Sequence, residues 1–459
     1  MNYLTLPDAT ELLKQIQSGE RSAEGVVSEY LQRLETQHPR INAAVHIFRE
    51  EALAQARTPQ SGPLSGLPIS VKETFGLAGE TVTAGSMRMP PIPHEQDAEI
   101  VRRLREAGAI IIARSNLPEF AMTYESDNLR YGRTNNPLNL DHSPGGSSGG
   151  EAALVASGST VFGVGSDIGG SIRYPAHCCG VVGFKPHSAA INRQGTWPVM
   201  DGMIGSMLAL GSLTRSVRDA RLVYSVIADE PLGEGGDAAA ARLHHRPNFR
   251  MNVQDNAVAS ALKRGIAEWQ GEGLPSETLD IPEVGPLVQD YISYIAYCLA
   301  DPFFNLLTTA EGEKLSLAGE GQRQLLRRPT VHKYVFNMLL AAPLIKPNER
   351  KALAIEERFT AAREKYYEKL GADGVLILPT SGALAMKHGK AAATVLRPGV
   401  PGVFTPTLLI NILNLSAISI PSWYDIDRKT GLVPGLMLAC RPGSEGVLLD
   451  AAARLESLI

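Results

Sequence analysis

Apolar residues recur three and four positions apart in "DATELLKQIQSGE" and again in "SAEGVVSEYLQRLETQHP", so both stretches predict amphipathic helices. Ser22 is placed to cap the second, with Glu24 following, and the helix is expected to close before Pro39. The two should form an antiparallel pair. Next, "GLPISVKETFG" predicts a short strand over 67–71 that ends at Lys72, and "DAEIVRRLREAG" a helix with Ile100, Val101, Leu104 and Ala107 on one face, stopped by Gly108. The unbroken apolar run "AIIIA" at 109–113 is the pattern of a strand buried on both faces. Strand, helix and strand then make a crossover with parallel pairing.

Further on, "EAALVASG" predicts a helix from 151 and "STVFGVGSD" a strand running into "IGGSIRYP". Residues 230–300, which begin with the small-residue run "GEGGDAAAA", carry little periodicity, whereas 301–370 are rich in helical patterns such as "ERKALAIEERFTAAREKYYEKLG". Strand patterns return in "GVLILP" and "LSAISIPS". The expected architecture is α/β, a mixed, largely parallel central sheet covered by helices on both faces. Residues 1–229 would form the first part of the core, 371–459 would complete its sheet, and 230–370 would be a variable, largely helical segment.

The longest apolar stretch, 404–423, contains Asn411, Asn414 and two prolines, which are costly in hydrocarbon, so it reads as buried core and no membrane association is expected. With 459 residues, 44 % hydrophobic and 20 % charged, the chain can bury a large core. Its net charge of −4 and the absence of a long basic block exclude nucleic acid as a direct partner. Cys178, Cys179, Cys298 and Cys440 form no C-x-x-C pair and the chain opens without a basic segment followed by an apolar one, so a cytoplasmic protein with free thiols is expected.

The stretch "SPGGSSGGE" at 143–151 can cap a helix, cradle phosphate or carry a nucleophile. A phosphate loop needs a lysine after its last glycine, where this chain has Glu151. The nearby "GVGSDI" has Ile168 at the third glycine position of a dinucleotide fingerprint. "GGSSG" satisfies G-x-S-x-G, but "TNNPLNLDHSP" before it is no central strand. A second Gly/Ser loop, "SDIGGSIRYP", ends its glycines on Ser171, where a nucleophile and an oxyanion hole can coexist. His142 and His177 are the histidines nearby in sequence, and Lys72 at the end of an apolar strand is the alternative base. At an unperturbed pKa of about 10.4, roughly one lysine in 2,500 is neutral at pH 7, so burial must depress it.

These residues carry a resemblance. "GGSSGGEAALVASGSTVFGVGSDIGGSIRYPAHCCGVVGFKP" (145–186) resembles the signature of the amidase signature family, and the likeness extends through "GLPISVKETFGLAGETVTAGS", "DAEIVRRLREAGAIIIARSNLPEF" and "NNPLNLDHSPGGSSGG". The resemblance implies a Ser/Ser/Lys triad with Lys72 as base, Ser147 as a relay serine held by a cis peptide bond, and Ser171 as nucleophile. Backbone N–H groups from Ile168, Gly169 and Gly170 to Ser171 would form the oxyanion hole. Ser148 would support the loop, and Asp167 with Arg173 would fix the nucleophile. No metal or cofactor is implied, and "HCC" at 177–179 reads as packing. His244 and His245, in a polar stretch, read as surface.

Ala121, Met122 and Thr123 match the family's acyl-site loop. The segment 301–345, with Phe303, Phe304, Tyr334, Phe336 and Met338, would either roof the pocket or form ordinary helix core. The loop "PEFAMTYESDNLRYGRTNNP" is more similar to that of fatty acid amide hydrolases and bacterial broad-range amidases than to that of the A-type subunit of glutamyl-tRNA amidotransferase, the alternative. The expected substrate is a small amide, aryl or alkyl, with carbamates, urethanes and esters presenting the same kind of carbonyl. The glutaminase alternative would need partner proteins; otherwise a homodimer is the protein association left open.

Overall fold

The structure, a computed structural model, describes residues 6–90, 92–232, 241–245, 253–279, 285–307, 314–391 and 402–459. Thirteen strands appear among them: β1 Ala44–Ile47, β2 Pro68–Lys72, β3 Ile110–Ser115, β4 Asp127–Asn128, β5 Gly132–Arg133, β6 Gly163–Asp167, β7 Val182–Lys185, β8 Ala209–Thr214, β9 Arg242–His245, β10 Ser276–Thr278, β11 Gly374–Pro379, β12 Ser416–Pro421 and β13 Gly435–Cys440. Eleven of them form one sheet in the order β1-β3-β2-β6-β8-β7-β12-β13-β11-β9-β10, with β4 and β5 a separate pair.

The sheet is mixed and covered by helices. Parallel pairing lies in two blocks, β3-β2-β6 and β11-β9-β10, and the strands between them pair antiparallel. The crossover from β2 through helix Glu99–Glu106 to β3 is parallel, as its pattern predicts. Strand alternation divides the buried side chains between two cores. Leu436, Leu438 and Cys440 of β13 enter one, Met437 and Ala439 the other. On β2, Ile69 and Val71 enter the first core. Ser70 and Lys72 therefore point to the second face, under helix Gly149–Ala156.

Four expectations change. Helix Ala23–Ile41 runs through Pro39, because the proline stands exposed in the last turn and frees a single carbonyl; left-handed Asn42 (φ 47°) then ends the helix by donating its N–H to His38 O. Helix Ala9–Gln17 does not make its main contact with Ala23–Ile41; it docks on Val217–Ile227, where the Asp219 carboxylate accepts from the N–H groups of Ala9 and Thr10. Residues 230–370 supply the sheet strands β9 and β10 as well as helices. His244 is 1 % exposed, since β9 is flanked on both sides and Gly374 on β11 leaves room for the imidazole: a Cβ there would stand 2.8 Å from Nε2.

The apolar stretch 404–423 becomes helix Thr405–Ile412 followed by β12, both buried. No helix among the described residues is long and apolar enough to cross a membrane.

Candidate active site

Lys72 is the last residue of β2 and is fully buried. Its Nζ lies 2.8 Å from Ser147 Oγ and 3.0 Å from Ser166 Oγ. Burial pushes its pKa down from 10.5 to about 7, against the opposing charges of Asp167 and Glu151. A large share of the amine is therefore neutral near pH 7.

Ser147 follows a cis Gly146–Ser147 peptide bond and is 2 % exposed. Gly146 is required by close approach: a Cβ would stand 2.6 Å from Thr123 O. Ser126 braces the turn, accepting the Gly149 N–H and donating to Gly145 O, each at 3.1 Å. The Ser148 N–H donates to Ser171 O at 3.0 Å and so ties the two Gly/Ser loops together.

The second loop runs from the end of β6 into helix Arg173–Cys179. Burial works against the Asp167 charge, yet the Arg173 guanidinium beside it holds the carboxyl well below the usual carboxylate range. The pair meets at 2.9 Å with both side chains fully buried, and Arg173 also donates to Thr407 O and Asn411 Oδ1. Asp167 accepts from the N–H groups of Gly170 at 2.8 Å and Ile172 at 3.0 Å. Of the residues expected to line an oxyanion hole, Ile168 and Gly169 keep N–H groups that meet no acceptor among the described residues, as does Ser171. The Gly170 N–H is taken by Asp167, so Gly170 supplies the bend and not a donor. Its φ of 117° and a would-be Cβ 2.6 Å from Thr407 Cβ admit no other residue without strain.

Ser171 faces a cleft of about 200 Å³. Ala121, Met122 and Thr123 form one wall, after a turn in which Phe120 (φ 56°) and Ala121 (φ 54°) are left-handed, a conformation costing about 1–3 kcal/mol per residue. Helix Gly285–Leu306 contributes Ile292, Ile295 and Leu299, and helix Lys333–Ile345 contributes Met338. No charged side chain is among the described residues that line it. Tyr334 and Phe336 pack in the core instead, Tyr334 donating to Gly389 O at 3.2 Å. The side chains of Phe303 and Phe304 lie outside the described residues.

Two tyrosines carry no motif in the sequence. Tyr124 OH donates to Gly169 O at 2.7 Å and Tyr291 OH to Ile168 O, so two successive carbonyls of this loop are held, and the one on Ile168 fixes the peptide that carries the Gly169 N–H. Tyr124 sits beside Thr123 and had a positional signal; Tyr291 had none. Asn411 carried a signal, an amide inside an apolar stretch, which needs buried partners and finds them in Asp167, Arg173 and Met207 O. His177 accepts the Gly435 N–H on Nδ1 and donates from Nε2 to Ala383 O, a packing role.

Chemically, a buried amine beside the Ser147 hydroxyl, a backbone hydrogen bond that ties the Ser147 loop to Ser171, and unpaired N–H groups on an apolar cleft suit acyl transfer. The sequence pattern of the Amidase family matches residues 25–449. The A-type subunit of the glutamyl-tRNA(Gln) amidotransferase of Moorella thermoacetica is 30 % identical, over 99 % of this chain and 96 % of that protein. Its counterpart in Nitratidesulfovibrio vulgaris is 32 % identical over 93 % and 92 %. A crystal structure described as an amidase superimposes with a TM-score of 0.83 at 26 % identity, covering 98 % of this chain and 99 % of the other. The chain belongs to the amidase family, and its fold is that of a hydrolase of amide C–N bonds.

Proposed function

We propose that this chain hydrolyses neutral amides whose acyl or aryl part is apolar, and that carbamates and esters of similar shape enter the same site. Neutral Lys72 would take a proton from Ser147 while Ser147 takes one from Ser171, whose Oγ attacks the carbonyl carbon. The developing oxyanion would be met by N–H groups of the Ile168–Ser171 turn. The proton would return through Ser147 to the departing nitrogen, leaving an acyl-Ser171 ester that water cleaves. Ser148, Asp167 and Arg173 hold the two loops, and Ala121, Met122 and Thr123 contact the substrate.

The observation that carries this reading is the cleft over Ser171, which offers apolar walls and no charged side chain among its described lining. A second reading, a glutaminase-type component of an amidotransferase, is favoured by the names of the relatives that match over nearly the whole length. Glutamine, however, brings an ammonium and a carboxylate that this lining does not pair. Release of 4-nitroaniline from an apolar 4-nitroanilide by the purified chain, lost by at least about 10³-fold in Ser171→Ala, is the expected result. Ammonia release from glutamine with no anilide turnover would overturn it.

A further inference from the structure

The face of β2 that carries Lys72 also meets, through Ser70, a second buried ionisable group that the mechanism above leaves idle. Glu151 stands in the first turn of helix Gly149–Ala156 and is fully buried. Ser70 Oγ donates to its Oε2 at 2.5 Å and lies 3.3 Å from Thr160 Oγ1. Ser70 is two residues before Lys72 on β2, hence on the same face. Gly163 on β6 makes room for the carboxyl, since a Cβ there would fall 1.7 Å from Oε2. Burial drives Glu151 to keep its proton, against the hydroxyls of Ser70 and Ser115 and the charge of Lys72. The same burial drives Lys72 to give its proton up.

We propose that Glu151 and Lys72 form one coupled pair beneath the site, Glu151 being a positioning residue that sets the pH range over which Lys72 is a base. The inference rests on Lys72 as the base. A single proton on the pair can sit on Glu151, leaving both groups neutral, or on Lys72, leaving both charged, and the first arrangement alone provides a free amine.

The other groups around the pair are accounted for. Asp167 on β6 is held by Arg173 and further compensated by Lys185. On β3, Arg114 is turned to the carbonyls of Thr81, Glu73 and Phe75, and Glu73 is bound by Thr83 and Ala84. Helix Ala23–Ile41 buries uncharged side chains in its packing over β2.

The test is kcat/KM for a 4-nitroanilide against pH in wild type, Lys72→Ala and Glu151→Gln. The wild-type acid limb should be broader than a single-proton curve. In Glu151→Gln it should narrow and move to lower pH by about half a unit, or about threefold in relative activity on the limb. A Glu151→Gln limb superimposable on wild type, whatever its plateau, overturns the pairing and leaves the lysine base intact. A wild-type profile with no acid limb overturns the lysine base and the pairing together. Should Glu151→Gln not fold, Ser70→Ala serves: losing the hydroxyl that stabilises ionised Glu151 should move the limb the same way by less, and an unmoved limb overturns the pairing.

Discussion

Replacing Lys72 by methionine keeps the length of the side chain and removes its titrating amine, so the cost of hiding that amine becomes measurable. The unfolded chain binds this proton with the ordinary pKa of 10.5, the folded chain with one of about 7. Below pH 7 both states hold the proton and the penalty of a buried ammonium is fully present. Between the two values the unfolded state holds a proton that the folded state lacks, so stability rises with pH by about 1.4 kcal/mol per unit. Across the whole window the gain is on the order of 5 kcal/mol. Lys72→Met has no such term. It also strips Ser147 and Ser166 of a partner, at about 1–3 kcal/mol, but that cost does not vary with pH. Glu151, whose protonation responds to Lys72, is kept out of the comparison by Glu151→Gln: urea unfolding at pH 7, 8 and 9 should show Glu151→Gln gaining on Glu151→Gln/Lys72→Met by about 1.4 kcal/mol per unit. A difference that stays constant over that range would mean that Lys72 is charged in the folded protein, and the neutral-base reasoning would fall.

Arg173→Met leaves Asp167 buried without its cation and should cost about 3–5 kcal/mol, with most of the loss recovered in Arg173→Met/Asp167→Asn; a single variant within about 1 kcal/mol of wild type in denaturant titration would contradict this. Gly170→Ala demands a positive φ from alanine and drives its Cβ onto Thr407, so it should lower the thermal midpoint and reduce kcat more than it raises KM; wild-type values for both would show that the turn tolerates a side chain.

Much of the site was legible because its chemistry sits in short segments. The Ser70/Lys72 alternation against Ile69/Val71 follows from a period of two, and it alone sends the lysine to the face away from the first core. The glycines of the two loops mark backbone that must turn tightly, and the serines within them are placed by sequence alone. Glu151 was visible only as the wrong charge for a phosphate loop; its surroundings depend on Ser70 and Gly163, residues of two strands beneath its helix.

What the sequence determined by itself was periodic or local: the β2-helix-β3 crossover, the buried strands, both Gly/Ser loops and the residues they carry. Partners distant along the chain were decided by tertiary structure. Arg173 reaches Asn411, and Tyr291 reaches Ile168, because separate elements pack over one sheet face, and no local pattern records which elements those are. The antiparallel centre of the sheet and the burial of His244 have the same origin. A strand's pattern states that both faces are covered, while the neighbour that covers them, and its direction, is fixed by packing across the whole chain.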